Sequence, residues 1–200
     1  MFDVFLHETF QSSCEGEEQQ QIDRIQEIYG ATMFGLMQRY HKAVLSYDPY
    51  GRAGKGTACD ILAALVPQEF VTNVSPFNWS NEYYLATLAG SRLNLVGELP
   101  ENTPLPAAEF KTVTGGDILT GRHPAGRPFT FRNHAAHICS SNHLLNTRDQ
   151  SDAFFWRWLA VRFPNSCLRS GLPLDIGLAE RILASELPGI RTCAQPQSTM

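Results

Sequence analysis

Two hundred residues, 43% hydrophobic and 18% charged, suit one globular domain with a core of its own and exclude a disordered or fibrous chain. A net charge of -4 excludes a protein whose whole surface is basic. The stretch from Lys111 to Arg169 nevertheless holds eight cations against three anions, so any contact with nucleic acid belongs there. Cys14, Cys59, Cys139, Cys167 and Cys193 are odd in number, scattered and without a C-x-x-C pair, which points to neither a disulfide framework nor a zinc site and fits a reducing, cytoplasmic setting. The opening MFDVFLHETF lacks a basic segment followed by an apolar one, and no apolar run approaches the roughly 18 residues of a membrane span, so the chain reads as soluble, with no membrane partner.

The first 30 residues are polar and acidic, and Ile22, Ile25, Ile28 and Tyr29 recur at helical spacing, which predicts an amphipathic helix from Glu17 to Tyr29 stopped by Gly30. Residues 1–40 are expected to form an N-terminal helical segment and 41–190 the main domain. The apolar run Ala43-Val44-Leu45 predicts a strand, Asp48-Pro49-Tyr50-Gly51 a turn, and Thr57 to Leu65 a helix. Asn81 is the expected N-cap of a helix from Glu82 to Ala89 that Gly90 stops; Leu93 to Val96 reads as a buried strand, and Pro106 opens a helix carrying Lys111. Phe129-Thr130-Phe131 and Ala136-His137-Ile138 are strand candidates around the turn Pro124-Ala125-Gly126, and a hairpin is expected there. Asp149 to Trp158 reads as helix, Leu159 to Phe163 as strand, and Leu178 to Leu187 as a last helix ahead of Pro188-Gly189. Residues 191–200, without periodicity or caps, are expected to be an unstructured tail. Alternating strands and helices imply an α/β sandwich around a mainly parallel sheet.

Gly51-Arg52-Ala53-Gly54-Lys55-Gly56-Thr57 lies between a predicted strand and a predicted helix, which is the setting of a phosphate-binding loop. Backbone N–H groups and the positive end of the helix would surround phosphates, with Lys55 adding a mobile charge and Thr57 a hydroxyl near Mg²⁺; small residues are needed because a Cβ blocks the approach. Gly51, Gly54, Lys55, Gly56 and Thr57 are therefore the candidate ATP-binding residues. Two positions depart from G-x-x-x-x-G-K-[ST]: Pro49 stands where the leading glycine falls, and Gly56 displaces the hydroxyl residue to Thr57. Taken alone, these residues also read as a glycine-rich turn with an incidental lysine. The strand Leu93 to Val96 leads into Gly97-Glu98-Leu99-Pro100-Glu101, where a P-loop ATPase places the carboxylate that holds Mg²⁺ and polarises the attacking water; Glu98 is the first candidate and Glu101 the second. An ordinary strand with a solvated acidic end is the alternative.

G-E-L-P-E, then Lys111 with Thr114-Gly115-Gly116-Asp117, then Ser140-Ser141-Asn142-His143, then Phe155-Trp156-Arg157-Trp158-Leu159 together resemble the superfamily 3 helicase domain of the phage/plasmid (poxvirus-type) DNA primase/helicase family, over about residues 20 to 190. The resemblance implies an AAA+-like P-loop NTPase fold, a three-layer sandwich with a mainly parallel central sheet and an inserted β-hairpin. It makes Glu98 the Walker B carboxylate and Mg²⁺ ligand with Thr57, Lys111 and Asp117 motif B′, Asn142 the first sensor, and Arg157 an arginine finger acting on ATP of a neighbouring subunit. The family often has two adjacent basic residues there, and this chain has Trp158 second. The hairpin tip, Arg122, His123 and Arg127, is the implied contact to single-stranded DNA, and a homo-oligomeric ring, a hexamer by analogy, is the implied assembly. His134, His137 and His143 show no metal-ligand spacing.

The implied function is ATP hydrolysis driving translocation on single-stranded DNA during replication. G-K-G-T also occurs in nucleoside monophosphate kinases, but no segment reads as their acceptor pocket and arginine-bearing lid. A third reading is a truncated, non-catalytic remnant of a replication protein: 200 residues leave space for neither the family's primase region nor its winged helix, and Pro49 departs from the loop pattern.

Overall fold

Ala43, Val44, Leu45 and Ser46 are buried one after another, as a strand covered on both faces requires. This strand, β1 (Ala43–Tyr47), lies at the centre of the protein, a computed structural model that describes residues 1–12, 14, 16–171 and 173–193. Before it come α1 (Phe2–Phe10) and α2 (Glu17–Met33). After it run α3 (Lys55–Ala64), β2 (Val71–Thr72), α4 (Glu82–Thr87), β3 (Leu93–Val96) and α5 (Ala107–Thr114). The hairpin β4 (Ile118–Arg122) and β5 (Pro128–Arg132) follows, then β6 (Ala136–Ser141), α6 (Asp152–Phe155), β7 (Trp158–Arg162), α7 (Cys167–Ser170) and α8 (Leu178–Cys193). The sheet is wholly parallel in the order β2-β3-β6-β1-β7.

Side chains alternate across this sheet. Val44, Ile138 and Val161 face one layer, where they join Phe5, Leu6 and Phe10 of α1, Ile25 of α2, Ile61 and Leu62 of α3 and Ile182 of α8. The N-terminal helices therefore share one core with the sheet. Ala43 faces the opposite layer with Trp79, Leu88, Phe110, Phe154 and Leu119 of the hairpin. Phe110 stacks between Trp79 and Trp158, at centroid distances of 6.0 and 4.4 Å and interplanar angles of 4° and 7°. Helices, sheet, then helices with the hairpin make three layers, the α/β P-loop NTPase architecture expected.

Local punctuation yields to packing at several points. Gly30 does not stop α2, which runs on to Met33, because burial of Tyr29 and Thr32 outweighs the ~1 kcal/mol that a helical glycine costs. Helix α8 passes through Pro188 and Gly189, and Ile190 beyond them is buried in the core. Residues 191–193 of the expected tail are thus helical, and 194–200 lie outside the described residues. The expected hairpin is present, but Ile118–Arg122 is the partner of Pro128–Arg132, while the segment from Ala136 belongs to the main sheet. The helix expected over 149–158 shrinks to Asp152–Phe155, since Asp149 accepts the Ser151 N–H in a turn at 2.8 Å and Trp158 already pairs with β1. Helix α1 falls within the helical segment expected over 1–40 but was not marked out in it, although Phe2, Phe5, Leu6 and Phe10 lie at helical spacing.

His137, fully buried on β6, ties the sheet to its neighbouring loops. Asn94 accepts the Val74 N–H at 2.7 Å and donates to the Val74 carbonyl at 2.9 Å; this fixes its amide, which donates to His137 Nδ1 at 3.2 Å. The Asn133 amide faces Nε2 at 2.6 Å. Burial pushes the imidazole down to about 3 from its ordinary 6.5. The unfolded chain binds this proton below about pH 6.5 and the fold refuses it until about 3. Its stabilising contribution is therefore complete above pH 6.5 and declines as pH falls toward 3, by at most about 1.4 kcal/mol per pH unit. Urea unfolding midpoints of the wild type, compared with His137→Gln from pH 7 to 4.5, should show this extra acid sensitivity; parallel pH profiles would contradict it. A Cβ on Gly121 of β4 would sit 2.8 Å from the Ala86 Cα of α4. Gly121→Ala should lower stability by about 1–3 kcal/mol through overpacking, read from the same midpoint.

Candidate functional site

The carboxyl ends of β1, β6 and β3 converge because the strands are parallel and in register: Tyr47 pairs with Ser141, and Val96 with Cys139. Each strand then delivers one side chain to the same place. After β1 the chain turns through residues 48–54 into α3, whose first residue is Lys55. Lys55 Nζ donates to Asn142 Oδ1 at 2.9 Å, one residue beyond β6. The Asn142 N–H donates to Glu98 Oε1 at 3.2 Å, two residues beyond β3. The Leu99 N–H, bonded to the Ser140 carbonyl at 3.0 Å, holds the Glu98 loop against β6. Of the two candidate carboxylates, Glu98 is the one at this point; Glu101 pairs instead with His143 at 3.4 Å, both side chains being exposed.

The loop needs left-handed backbone at Gly51 (φ 76°), Arg52 (φ 56°) and Gly54 (φ 87°), but not at Pro49. The proline therefore occupies a position that makes no demand for glycine. Gly54 is N-cap to α3, and Gly56 and Thr57 lie in its first turn, where backbone N–H groups have no partner within the helix. A Cβ on Gly56 would meet nothing within 4 Å, so the space over this helix start is open. Preceding the loop, Asp48 is 1% exposed and its carboxylate accepts three loop N–H groups. On the far side, Ser166 Oγ donates to the Gly51 carbonyl at 2.6 Å, and the Arg169 guanidinium lies 4.3 Å from the centre of the Tyr50 ring. Asp48, Ser166 and Arg169 were not among the expected site residues; Asp48 ahead of the turn was the one local signal for them.

The remaining expected residues lie elsewhere. Lys111 pairs with Asp149 at 2.8 Å, and hydrogen bonds from Lys111 and Ser151 hold the Asp149 carboxyl well below the usual range. Asp117, exposed at the start of the hairpin, is not the partner of Lys111. Arg157 precedes β7 at the foot of the sheet: Trp158 pairs with Ala43, the first residue of β1, and the Ala43 N–H bonds to the Arg157 carbonyl at 2.7 Å. The length of β1, ~16 Å at 3.3 Å per residue, separates Arg157 from the phosphate-loop end of its own chain. One guanidinium nitrogen donates to the Ala153 carbonyl at 2.6 Å, and the buried Nε has no partner among the described residues. At the hairpin tip Arg122 is engaged by the Gly126 carbonyl at 3.1 Å and by Glu82 at 3.6 Å, His123 stacks on Phe129 at 5.0 Å, and Arg127 is exposed.

Among the described residues there is no group of three or more His, Cys, Asp or Glu side chains placed to hold a metal ion. A Mg²⁺ ion at a phosphate site needs less from the protein: one or two hard oxygen donors, with phosphates and water completing the shell. Thr57 and Glu98 have that chemistry. No helix among the described residues is long and apolar enough to cross a membrane.

Two structures of the apo NrS-1 C terminal region are similar to the chain, each with a TM-score of 0.71, at 14% and 15% identity. In both, the match covers 98% of this chain and 45% of the NrS-1 chain, so this chain spans under half the length of those relatives, and the likeness is one of fold. A JCV helicase structure is more distant, with a TM-score of 0.47, 10% identity, and coverage of 96% of this chain and 58% of that one. No curated protein matches. Residues 49–157, from the turn after β1 to the arginine at the foot of β7, match the family of unknown function DUF5906, and the chain belongs to that family.

Proposed function

We propose that this chain is an ATP-hydrolysing motor of the superfamily 3 helicase type, acting as a ring on single-stranded DNA. The observation that carries the reading is the bonded series Lys55, Asn142, Glu98, which draws three distant segments to the mouth of one phosphate loop. Gly51, Gly54, Gly56 and the first turn of α3 would receive the phosphates, and Lys55, with donors beyond the one it gives Asn142, would neutralise the terminal ones. Glu98 would orient the attacking water and accept its proton as the bond from the terminal phosphorus to the bridging oxygen breaks, releasing ADP and phosphate. Asn142 would hold water or phosphate without adding charge. Mg²⁺, bound by Thr57 and Glu98, would supply further charge neutralisation. Lys111 would act with Asp149 rather than with Asp117 in setting the base of the hairpin, and Arg127 and His123 at its tip would follow DNA phosphates.

Arg157 fits this scheme only as a residue given to a neighbouring copy, because it sits at the opposite end of the strands from its own Lys55. A guanidinium supplied in this way is worth on the order of 10³ or more in turnover. Single-stranded DNA should stimulate ATP hydrolysis by the purified chain, and Lys55→Ala and Arg157→Ala should each abolish it. Mixing the two variants should restore part of the rate, since some interfaces then combine an intact Lys55 with an intact Arg157. A normal rate for Arg157→Ala, or mixtures as inactive as their components, would overturn the shared site. Glu98→Gln should keep nucleotide binding while turnover falls about 100-fold or more, measured by phosphate release.

A further inference from the structure

We infer that Asp48 is a positioning residue that sets the shape of the phosphate loop and, through it, the affinity for nucleotide; the inference rests on the nucleotide-binding reading above. Its carboxylate is 1% exposed and accepts from the N–H groups of Tyr50 at 3.1 Å, Gly51 at 2.8 Å and Ala53 at 3.1 Å. Its own N–H is bonded to the Ser141 carbonyl at 3.0 Å, so the anchor stands on the β1–β6 pair itself. The carbonyls of the same half of the loop are also taken: Gly51 by Ser166 Oγ at 2.6 Å and Arg52 by the Cys167 N–H at 3.1 Å. On the flank, a Cβ at Gly54 would lie 2.9 Å from the Phe5 ring of α1, leaving the loop little room to move that way. Among the described hydrogen bonds, none uses the N–H groups of Gly54, Lys55, Gly56 or Thr57. The loop is thereby divided. Its leading half is held by protein groups with Asp48 at their centre, and its trailing half offers donors to an anion.

A buried carboxylate beside a phosphate site has two opposite effects on binding. Its charge repels the ligand, and its hydrogen bonds hold the donors in place; three bonds to an ionised acceptor outweigh the single charge when that charge is directed away from the ligand into the loop. Asp48→Asn separates the two. The amide is the same size and removes the charge, yet its Oδ1 accepts from only one side while its Nδ2 meets the Ala53 N–H, donor against donor. Charge alone predicts tighter binding by the variant; positioning predicts weaker binding.

The experiment is a titration of wild-type and Asp48→Asn protein with a fluorescent ATP analogue and Mg²⁺, well below the melting temperature of both. The expected result is a dissociation constant raised about tenfold or more in the variant, the loss of roughly one charge-assisted bond. An unchanged or lower constant overturns the role of Asp48. Absence of binding by the wild type overturns the nucleotide reading itself, and this inference with it. If Asp48→Asn does not fold, amide exchange of the wild type without nucleotide decides: the Gly51 and Ala53 amides should exchange on the order of 100-fold more slowly than that of Gly56, and equal rates overturn the assignment.

Discussion

The register of β1 between β6 and β7 is the constraint on which the rest depends. With Ala43 opposite both His137 and Trp158, and Tyr47 opposite both Ser141 and Arg162, the three strands end together. A slip of one residue would turn Val44 out of one core layer and move every side chain beyond the strand ends to the wrong face. In register, residue 142 emerges beside the phosphate loop and residue 157 enters at the other end. The separation of Lys55 from Arg157 within one chain is thus a consequence of strand pairing, not of any feature of the two residues.

Burial distributes polarity along the same axis. Near the amino ends of the strands the polar groups Asn94, Asn133 and His137 are fully enclosed and lie against one another. At the carboxyl ends Asp48 is still enclosed, but Lys55 and Asn142 are half-buried and Glu98 is exposed, and Lys55 keeps donors beyond the one it gives Asn142. At the foot, the buried Nε of Arg157 has no partner among the described residues, and Trp156 beside it is 75% exposed. In the ring proposed above, a second copy would cover this surface. The hairpin is held differently: Gly121 against Ala86 and Arg122 against Glu82 fasten it to α4, with Arg127 exposed at its tip.

Much of this was legible in the sequence because the site is built from strand ends. A short apolar run followed by a glycine turn, a carboxylate or an asparagine marks each of β1, β3 and β6, so Lys55, Glu98 and Asn142 each carried a local signal. What was not legible depended on contacts between distant segments. The Lys111 partner lies 38 residues away at Asp149, a contact that nothing local to Lys111 signals. The importance of Asp48 follows from the path of the loop around it, and that path also removes the objection raised by Pro49, since the left-handed residues are Gly51, Arg52 and Gly54. Gly30 and Pro188 gave true propensity signals that packing by Tyr29, Thr32 and Ile190 overrode. The acidic opening segment hid α1, whose Phe5, Leu6 and Phe10 belong to the main core.

The glycine loop of residues 48–54 and the three strands that converge on it lie at the centre of the proposed chemistry. The most direct test is an experimental structure of the chain with Mg²⁺ and a non-hydrolysable ATP analogue. The terminal phosphate is expected between the Lys55 ammonium and the Asn142 side chain, with Glu98 facing it and an Arg157 guanidinium reaching it from a second copy. A nucleotide bound away from residues 51–57, or one completed by the Arg157 of its own chain, would contradict this arrangement.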